Sequence, residues 1–382
     1  MKTCLYNVRI YPDDRKYIEG SLLIEDGKVV SVESYKQEAD EYVDGHGAIV
    51  LPGLIDIHLH GSYGYDFIKD PQQSINTVSE GLIKEGTTSF MASLTVVSHE
   101  ETCELLKGYA KAKAPDNVSN FLGVHLEGPY LSVQYKALMD ERYLRDPDLD
   151  EMKEMLECAD GVLRIMTIAP ERKGMDKLIP YLKDNNVTAM IGHSAATCAQ
   201  AGQALDLGAT GFTHLYNAMS QHTHRDPGNV TCAFLRDDSL CELIVDGHHI
   251  DPDVIRATYK SIGSDRIVLI TDAMLGKGMD DGDYVFSGLN CRKVGNTVHV
   301  IETGRIAGSA ITMMDAIRNM KSFCNVSFKE LVRMACINPS VIAKVEDHKG
   351  TLENGKDADF IIVDDNLELI QTWIGGKCVF ER

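Results

Sequence analysis

Polar and apolar residues alternate over Thr3–Tyr11, Glu19–Glu25 and Lys28–Val32, and Glu25-Asp26-Gly27 supplies a turn between the last two runs. The period of two predicts a small sheet in the first fifty residues. The far end has the same character: Ala358–Val363 and Leu367–Ile374 are strand-like, and Gly375-Gly376 makes a hairpin into Lys377–Phe380. Two strand-rich ends around a different middle predict one small β-sandwich domain built from both termini, residues 1–50 and 346–382. Between them eight short apolar runs recur: Leu54–His60, Thr87–Leu94, Phe121–Glu127, Leu163–Ala169, Val187–His193, Ala209–His214, Glu242–Asp246 and Ile267–Asp272. Helix-period stretches such as Pro71–Glu85, Glu100–Lys113, Gly174–Lys183 and Pro252–Ser261 fill the intervals. Alternating strands and helices predict a parallel sheet, and eight units predict its closed form, a (β/α)8 TIM-like barrel over residues 51–345. Ala310–Phe323 and Ser327–Ala335 read as helices leading back to the terminal sheet.

Charge narrows the list of partners. Against 57 Asp+Glu the chain carries 38 Lys+Arg, a formal net charge of −19, which repels nucleic-acid phosphates and anionic membranes. No apolar run approaches the roughly 18 to 20 residues of a membrane span, and Met1–Ile10 has no signal-peptide core, so the expected location is the cytoplasm. Ten cysteines stand singly, without a Cys-x-x-Cys pair, as suits a reducing compartment.

The informative feature is where the ionisable residues fall. Barrel enzymes gather their chemistry at the C-terminal ends of the strands. Here the first run ends in Asp56-Ile57-His58-Leu59-His60, the third in Glu127, the fifth in His193, the sixth in His214 and the eighth in Asp272. Alternation puts His58 and His60 on one side of their strand, where both imidazoles can converge. Any one of these residues alone reads as an ordinary hydrogen-bonded strand-end group. Six at the same end of five strands read as a ligand set for Zn²⁺ or Fe²⁺, because each would otherwise need its own buried partner.

The chain resembles the amidohydrolase superfamily and, within it, the N-acetylglucosamine-6-phosphate deacetylases. The resemblance rests on Pro52-Gly53-Leu54-Ile55-Asp56-Ile57-His58-Leu59-His60-Gly61, His125-Leu126-Glu127-Gly128-Pro129, Gly192-His193-Ser194 and His214-Leu215-Tyr216-Asn217-Ala218-Met219. It continues through Asp246-Gly247-His248-His249, Thr271-Asp272-Ala273, Gly308-Ser309 and Gly355-Lys356-Asp357-Ala358-Asp359-Phe360. It implies Glu127, His193 and His214 at one metal position, and His58, His60 and Asp272 at a second that only some members retain, with Glu127 in the bridging role. One or two divalent ions, zinc or iron, fit that inventory. The implied reaction hydrolyses the N-acetyl group of an amino-sugar phosphate by metal-activated water, with Asp272 as general base and then general acid. Arg225 and His249 match sugar-phosphate contacts, Asn217 and Ala218 can present a side-chain amide and a backbone N–H near a helix start, and a homodimer is implied in which a neighbouring subunit can complete the phosphate pocket.

Several positions stay open. By itself Arg225 reads equally as a loop charge paired with Asp226, while His222 and His224 read as loop residues. His125 alternates with Glu127 and reads as a supporting residue behind the ligands. Met139 stands where many relatives place a histidine that contacts the acetyl carbonyl, and Met cannot donate a hydrogen bond. Gly276–Gly282 reads either as a lid or as a solvated loop. The alternatives in function are the N-acetylgalactosamine 6-phosphate epimer, another amide, or a non-catalytic barrel scaffold.

Overall fold

Eight parallel strands pair in strict chain order in the computed structural model, which describes residues 1–286 and 289–382. They are Leu54–Asp56, Thr87–Leu94, Asn120–Glu127, Leu163–Ile168, Thr188–Ile191, Gly211–Phe212, Leu240–Ile244 and Ile267–Ile270. The ladder closes where the first and last strands meet. A parallel bridge joins Leu59 to Ala273, with Asp272 N–H donating to the His58 carbonyl and His60 N–H to the Ala273 carbonyl, each at 2.8 Å. Every residue of Thr87–Leu94 is buried, as expected for a strand with barrel interior on one face and helices on the other.

Eight helices follow the eight strands: Pro71–Leu82, His99–Lys111, Leu149–Ala159, Met175–Asp184, Cys198–Leu207, Asn229–Leu235, Pro252–Ile262 and Met313–Cys324. Their starts are written locally. Asp70 and Asp251 cap helices that begin with proline, whose missing N–H costs nothing there, and Thr197 with Gln200 forms a reciprocal cap.

Six of the eight barrel strands stop short of the predicted runs, and at three of them the reason is chemical. His193, His214 and Asp272 lie just past their strands with φ of 47°, 30° and 47°. A non-glycine residue is disfavoured there by roughly 1–2 kcal/mol, and such backbone persists where the surroundings impose it. The turn takes each side chain off the ladder and into the barrel mouth.

Between the eighth strand and its helix the chain inserts a four-stranded antiparallel sheet, Gly282–Phe286, Leu289–Val294, Thr297–Val300 and Ile306–Ser309. The sequence reading has no counterpart for it. Its last strand docks beside the eighth barrel strand by a parallel Ala273–Ser309 bridge. The segment Gly276–Gly282, expected as a lid or a solvated loop, is anchored at its start, while Gly278, Asp280 and Asp281 are exposed. Lys277 is 1% exposed, with Nζ 2.9 Å from Glu85 Oε2, and Tyr63 Oη donates to Glu85 Oε1 at 2.5 Å.

The termini build one eight-stranded sheet around a second core that includes Leu5, Val8, Ile10, Leu22, Phe360 and Trp373. Its order runs Lys377–Glu381, Leu369–Ile374, Phe360–Val363, Ile49–Pro52, Lys2–Ile10, Ile18–Glu25, Lys28–Glu33, with Glu41–Asp44 pairing in parallel with Lys2–Ile10. A buried ion cluster ties this sheet to the barrel. Lys349 Nζ lies 2.6 Å from Asp359 Oδ2 and 2.9 Å from Asp357 Oδ2, while Asn120, at the start of the third barrel strand, donates to Asp359 Oδ2 at 3.0 Å. Lys349→Met is expected to cost about 3–5 kcal/mol, because it strands a buried carboxylate. Burial disfavours the Lys349 ammonium, yet Asp359 and Asp357 outweigh it and hold its pKa above the usual value. Burial likewise works against the Asp357 carboxylate, and Lys28 with Lys349 outweighs it and holds that pKa down. A depressed carboxylate stabilises the fold above its unfolded value of about 3.9 and ceases to as pH falls through its folded value. A raised ammonium contributes fully below about 10.4 and fades above. The gap in Tm between wild type and Lys349→Met should therefore be widest near neutrality and shrink below about pH 4. Equal Tm values at pH 7 would dismiss the cluster as a tie.

Candidate metal centre

At the strands' C-terminal mouth the six predicted residues meet. Glu127 Oε1 lies 3.0 Å from His193 Nε2, 3.1 Å from His214 Nε2 and 3.5 Å from His58 Nε2, and Glu127 Oε2 lies 3.4 Å from His60 Nε2. Asp272 Oδ1 is 3.4 Å from His60 Nε2 and 3.7 Å from His58 Nε2. The Nε2 atoms of His193 and His214 are 3.1 Å apart, and those of His58 and His60 3.4 Å. Glu127 reaches both groups, Oε1 facing His193, His214 and His58, and Oε2 facing His60.

The outer nitrogens reveal which way the rings are protonated. His60 Nδ1 faces the Ser93 carbonyl at 3.1 Å and His193 Nδ1 the Tyr135 carbonyl at 2.8 Å, and a carbonyl only accepts. His58 Nδ1 faces Glu242 Oε2 at 3.0 Å. These three rings donate outward from Nδ1, which leaves Nε2 lone pairs pointing at one another. Lone pairs at that spacing need positive charge between them. Without a cation, protons would have to supply it. Burial pushes the His214 imidazolium down, but Glu127 and Asp272 outweigh it and lift its pKa to about 9; His60 is raised well above normal against the same burial by Asp272 and Glu127. Burial also acts against the Glu127 and Asp272 carboxylates, and the surrounding imidazoles outweigh it and hold both well below the usual range. A tetrahedral ion with bonds of about 2.0–2.1 Å sets neighbouring N and O donors roughly 3.3 Å apart, close to the spacing found. The donor set fits a divalent cation.

Supporting residues complete the centre, and sequence reasoning missed the most important. Glu242 is fully buried in the seventh barrel strand; besides facing His58, its Oε2 accepts the His214 backbone N–H at 3.1 Å. Its signal was an acid inside the apolar run Leu240-Cys241-Glu242-Leu243-Ile244. Asp56 accepts from Thr271 Oγ1 at 2.6 Å and from the Thr271 and His58 N–H groups, pinning the first strand to the eighth; burial pushes its pKa up to about 6. His125 sits behind the ligands, with Nε2 2.7 Å from Thr167 Oγ1, and burial lowers its pKa well below normal. Glu242→Gln is expected to weaken cation affinity by about 10–100-fold while the protein stays folded, read by competition against a chromogenic chelator.

The centre floors a cavity of about 530 Å³. His60, Glu127, His193, His214 and Asp272 line it together with Asn217, Ala218, His249 and Met139. The inserted sheet adds Leu289, Cys291, Ile306, Ala307 and Gly308, so that unforeseen element closes one side. His249 is held by Asp246, whose Oδ2 lies 2.6 Å from its Nδ1. Arg225 is not brought to the cavity. It is exposed, as are His222 and His224, and it makes no ion pair with Asp226 or any other acid among the described residues. No Lys or Arg lines the cavity among the described residues.

A closed parallel barrel whose mouth gathers four imidazoles and two carboxylates is the architecture of a metal-dependent hydrolase. The chain belongs to the amidohydrolase family, which matches residues 49–379. It is 34% identical over 384 residues to the N-acetylglucosamine-6-phosphate deacetylase of Bacillus subtilis (strain 168), covering 98% of this chain and 96% of that protein. The N-acetylgalactosamine-6-phosphate deacetylase of Escherichia coli O157:H7 is 32% identical over 357 residues, covering 93% of each chain. Among solved structures, a mutant N-acetyl-D-glucosamine-6-phosphate deacetylase from Mycobacterium smegmatis, in complex with N-acetyl-D-glucosamine-6-phosphate, superposes with a TM-score of 0.90 at 30% identity over 99% of both chains. No helix among the described residues is long and apolar enough to cross a membrane.

Proposed function

We propose that the chain hydrolyses N-acetylglucosamine 6-phosphate to glucosamine 6-phosphate and acetate. The observation that carries the reading is Asp272, an ionised carboxylate beside the imidazole cluster with its side chain open to the cavity. Glu127, His193 and His214 would hold one divalent ion, zinc or iron, and His58, His60 and Asp272 a second. When bound, such an ion polarises the amide carbonyl and makes water more acidic. Asp272 Oδ1 faces His58 and His60, which leaves Oδ2 to take the proton from the attacking water. The same oxygen then delivers that proton to the amide nitrogen, so the amine departs neutral and Asp272 returns to its starting charge. Met139 lies in an apolar cluster with Val96, Leu131 and Leu144 and offers the acetyl methyl a dry wall.

The phosphate end needs positive charge that no Lys or Arg among the described residues of one chain places in the cavity. His249, Asn217 and Ala218 are the polar groups on hand, and Arg225 of a second copy supplies the cation in a homodimer. Arg225→Ala is expected to raise KM for the phosphorylated sugar with kcat little changed; an unchanged KM removes it from the phosphate. The dimer makes a sharper demand. At substrate well below the KM of Arg225→Ala, mixed and reassembled Arg225→Ala and Asp272→Asn chains should show more activity than the two give separately, whereas Arg225 acting within its own chain gives no gain.

The deciding experiment is acetate release over a panel of N-acetyl sugars, gluco and galacto, with and without the 6-phosphate, alongside cation quantification. Preference for the galacto epimer would move the substrate without moving the mechanism. Inertness towards every sugar with cation bound would refute the reading.

A further inference from the structure

We propose that His99, Cys103 and Glu154 form a second cation site, for a divalent ion of zinc's borderline-soft class, clipping together two neighbouring helices on the barrel's outer wall. The pattern begins in the sequence. His99 and Cys103 stand four apart on the helix His99–Lys111, and Glu154 and Cys158 four apart on Leu149–Ala159, so each pair shares one helix face. The two helices lie side by side and turn those faces towards each other.

The distances follow from that arrangement. His99 Nε2 is 2.9 Å from Glu154 Oε2 and 3.8 Å from Cys103 Sγ, and the three donor atoms lie within 4.8 Å of one another. The Cys158 thiol, on the facing helix, neighbours that of Cys103. Bonds of about 2.0–2.1 Å to nitrogen and oxygen and about 2.3 Å to sulfur predict donor spacings of roughly 3.3–3.8 Å. On the far side of the ring, His99 Nδ1 lies 3.1 Å from Glu151 Oε1, and Arg145 Nε donates to that carboxylate at 2.8 Å. Both thiols are buried while Glu154 is exposed, so an ion has a way in from solvent. A plain His99–glutamate ion pair accounts for the carboxylates but not for the buried Cys103 thiol beside the same ring nitrogen. The other thiol pair in contact, Cys198 and Cys232, belongs to no such donor group among the described residues and serves as the internal control. Uptake of the ion displaces the Cys103 thiol proton to solvent.

Cobalt(II) separates this site from the one at the barrel mouth, whose donors include no sulfur. The full-length protein, reduced with a phosphine and stripped of metal, is titrated with Co²⁺ while the near-ultraviolet thiolate-to-cobalt charge-transfer band is followed. The band should saturate at the intensity of one thiolate-bound cobalt per chain, with the remaining equivalents taken up silently in this region by the barrel mouth, disappear in Cys103→Ser and persist in Cys198→Ser. Hydrolytic activity and circular dichroism of Cys103→Ser serve as the check on folding. Should that variant fail to fold, His99→Gln and Glu154→Gln, both at solvent-reachable positions, should lose most of the band at equal cobalt. Absence of the band from the wild type, or a band that survives in Cys103→Ser or in both solvent-reachable variants, overturns the site.

Discussion

Asp272→Asn is expected to lower kcat by about 10³-fold or more while KM and the cation held by Glu127, His193 and His214 change little. The reasoning starts from position. Asp272 sits just beyond the eighth strand at φ 47°, held there by its own N–H to the His58 carbonyl and by Ser309 N–H donating to its carbonyl at 3.2 Å. Those are backbone bonds, so Asn inherits the placement. What it lacks is basicity, and the neighbouring imidazoles keep the native carboxylate ionised throughout the neutral range. Single-turnover measurement with bound substrate separates the two proposed roles of the residue. Loss of the chemical step with substrate binding intact identifies proton transfer, and loss of cation content in parallel with rate identifies ligation alone. A turnover within tenfold of wild type would remove Asp272 from the chemistry.

The barrel was legible because its signal is periodic and local. All eight apolar runs contain strands, and Pro71–Glu85 resolves into the helix Pro71–Leu82 followed by a tighter turn, Ile83–Glu85. The strand ends were read too long for one physical reason, since periodicity marks a buried apolar run and cannot register the left-handed turn that takes His193 and His214 off the ladder. The inserted sheet was missed although Leu289–Val294 and Thr297–Val300 alternate around Gly295-Asn296. Eight barrel units are already complete before it, and nothing in their count asks for four more strands. The six strand-end residues were legible because ligands must be of a few residue types. Glu242 was not, because a supporting acid carries no motif and is recognised only through the two histidines it touches. Arg225 marks the opposite limit. Its segment was found, but where a loop residue acts depends on the assembly, and one chain leaves it exposed and away from the cavity.

Glu127→Gln should have the second large effect, and on more than rate. Glu127 is the one carboxylate that reaches both groups of imidazoles, so its amide would aim N–H donors or an uncharged oxygen at Nε2 atoms and remove the charge that balances a cation. Cation content and hydrolysis should both fall by about two orders of magnitude or more, since losing a direct donor exceeds the 10–100-fold typical of losing a supporting one. The metal-free proteins give an independent reading. In wild type, protons take the cation's place and His214 titrates at about 9, because Glu127 and Asp272 outweigh its burial. A histidine raised in the folded state stabilises fully below its unfolded value of about 6.5, and that contribution is lost as pH rises through the folded value. The metal-free wild type should therefore lose Tm between about pH 6.5 and 9. In Glu127→Gln burial, already the largest single influence, loses its main opponent, so the His214 titration drops and the Tm slope over that window flattens. With cation bound the wild-type slope should vanish too, because no proton is then held at Nε2. Proton NMR of the imidazoles with calorimetry across the same pH range checks all three states, and a His214 titration left near 9 in Glu127→Gln would show that Glu127 is not what organises the cluster.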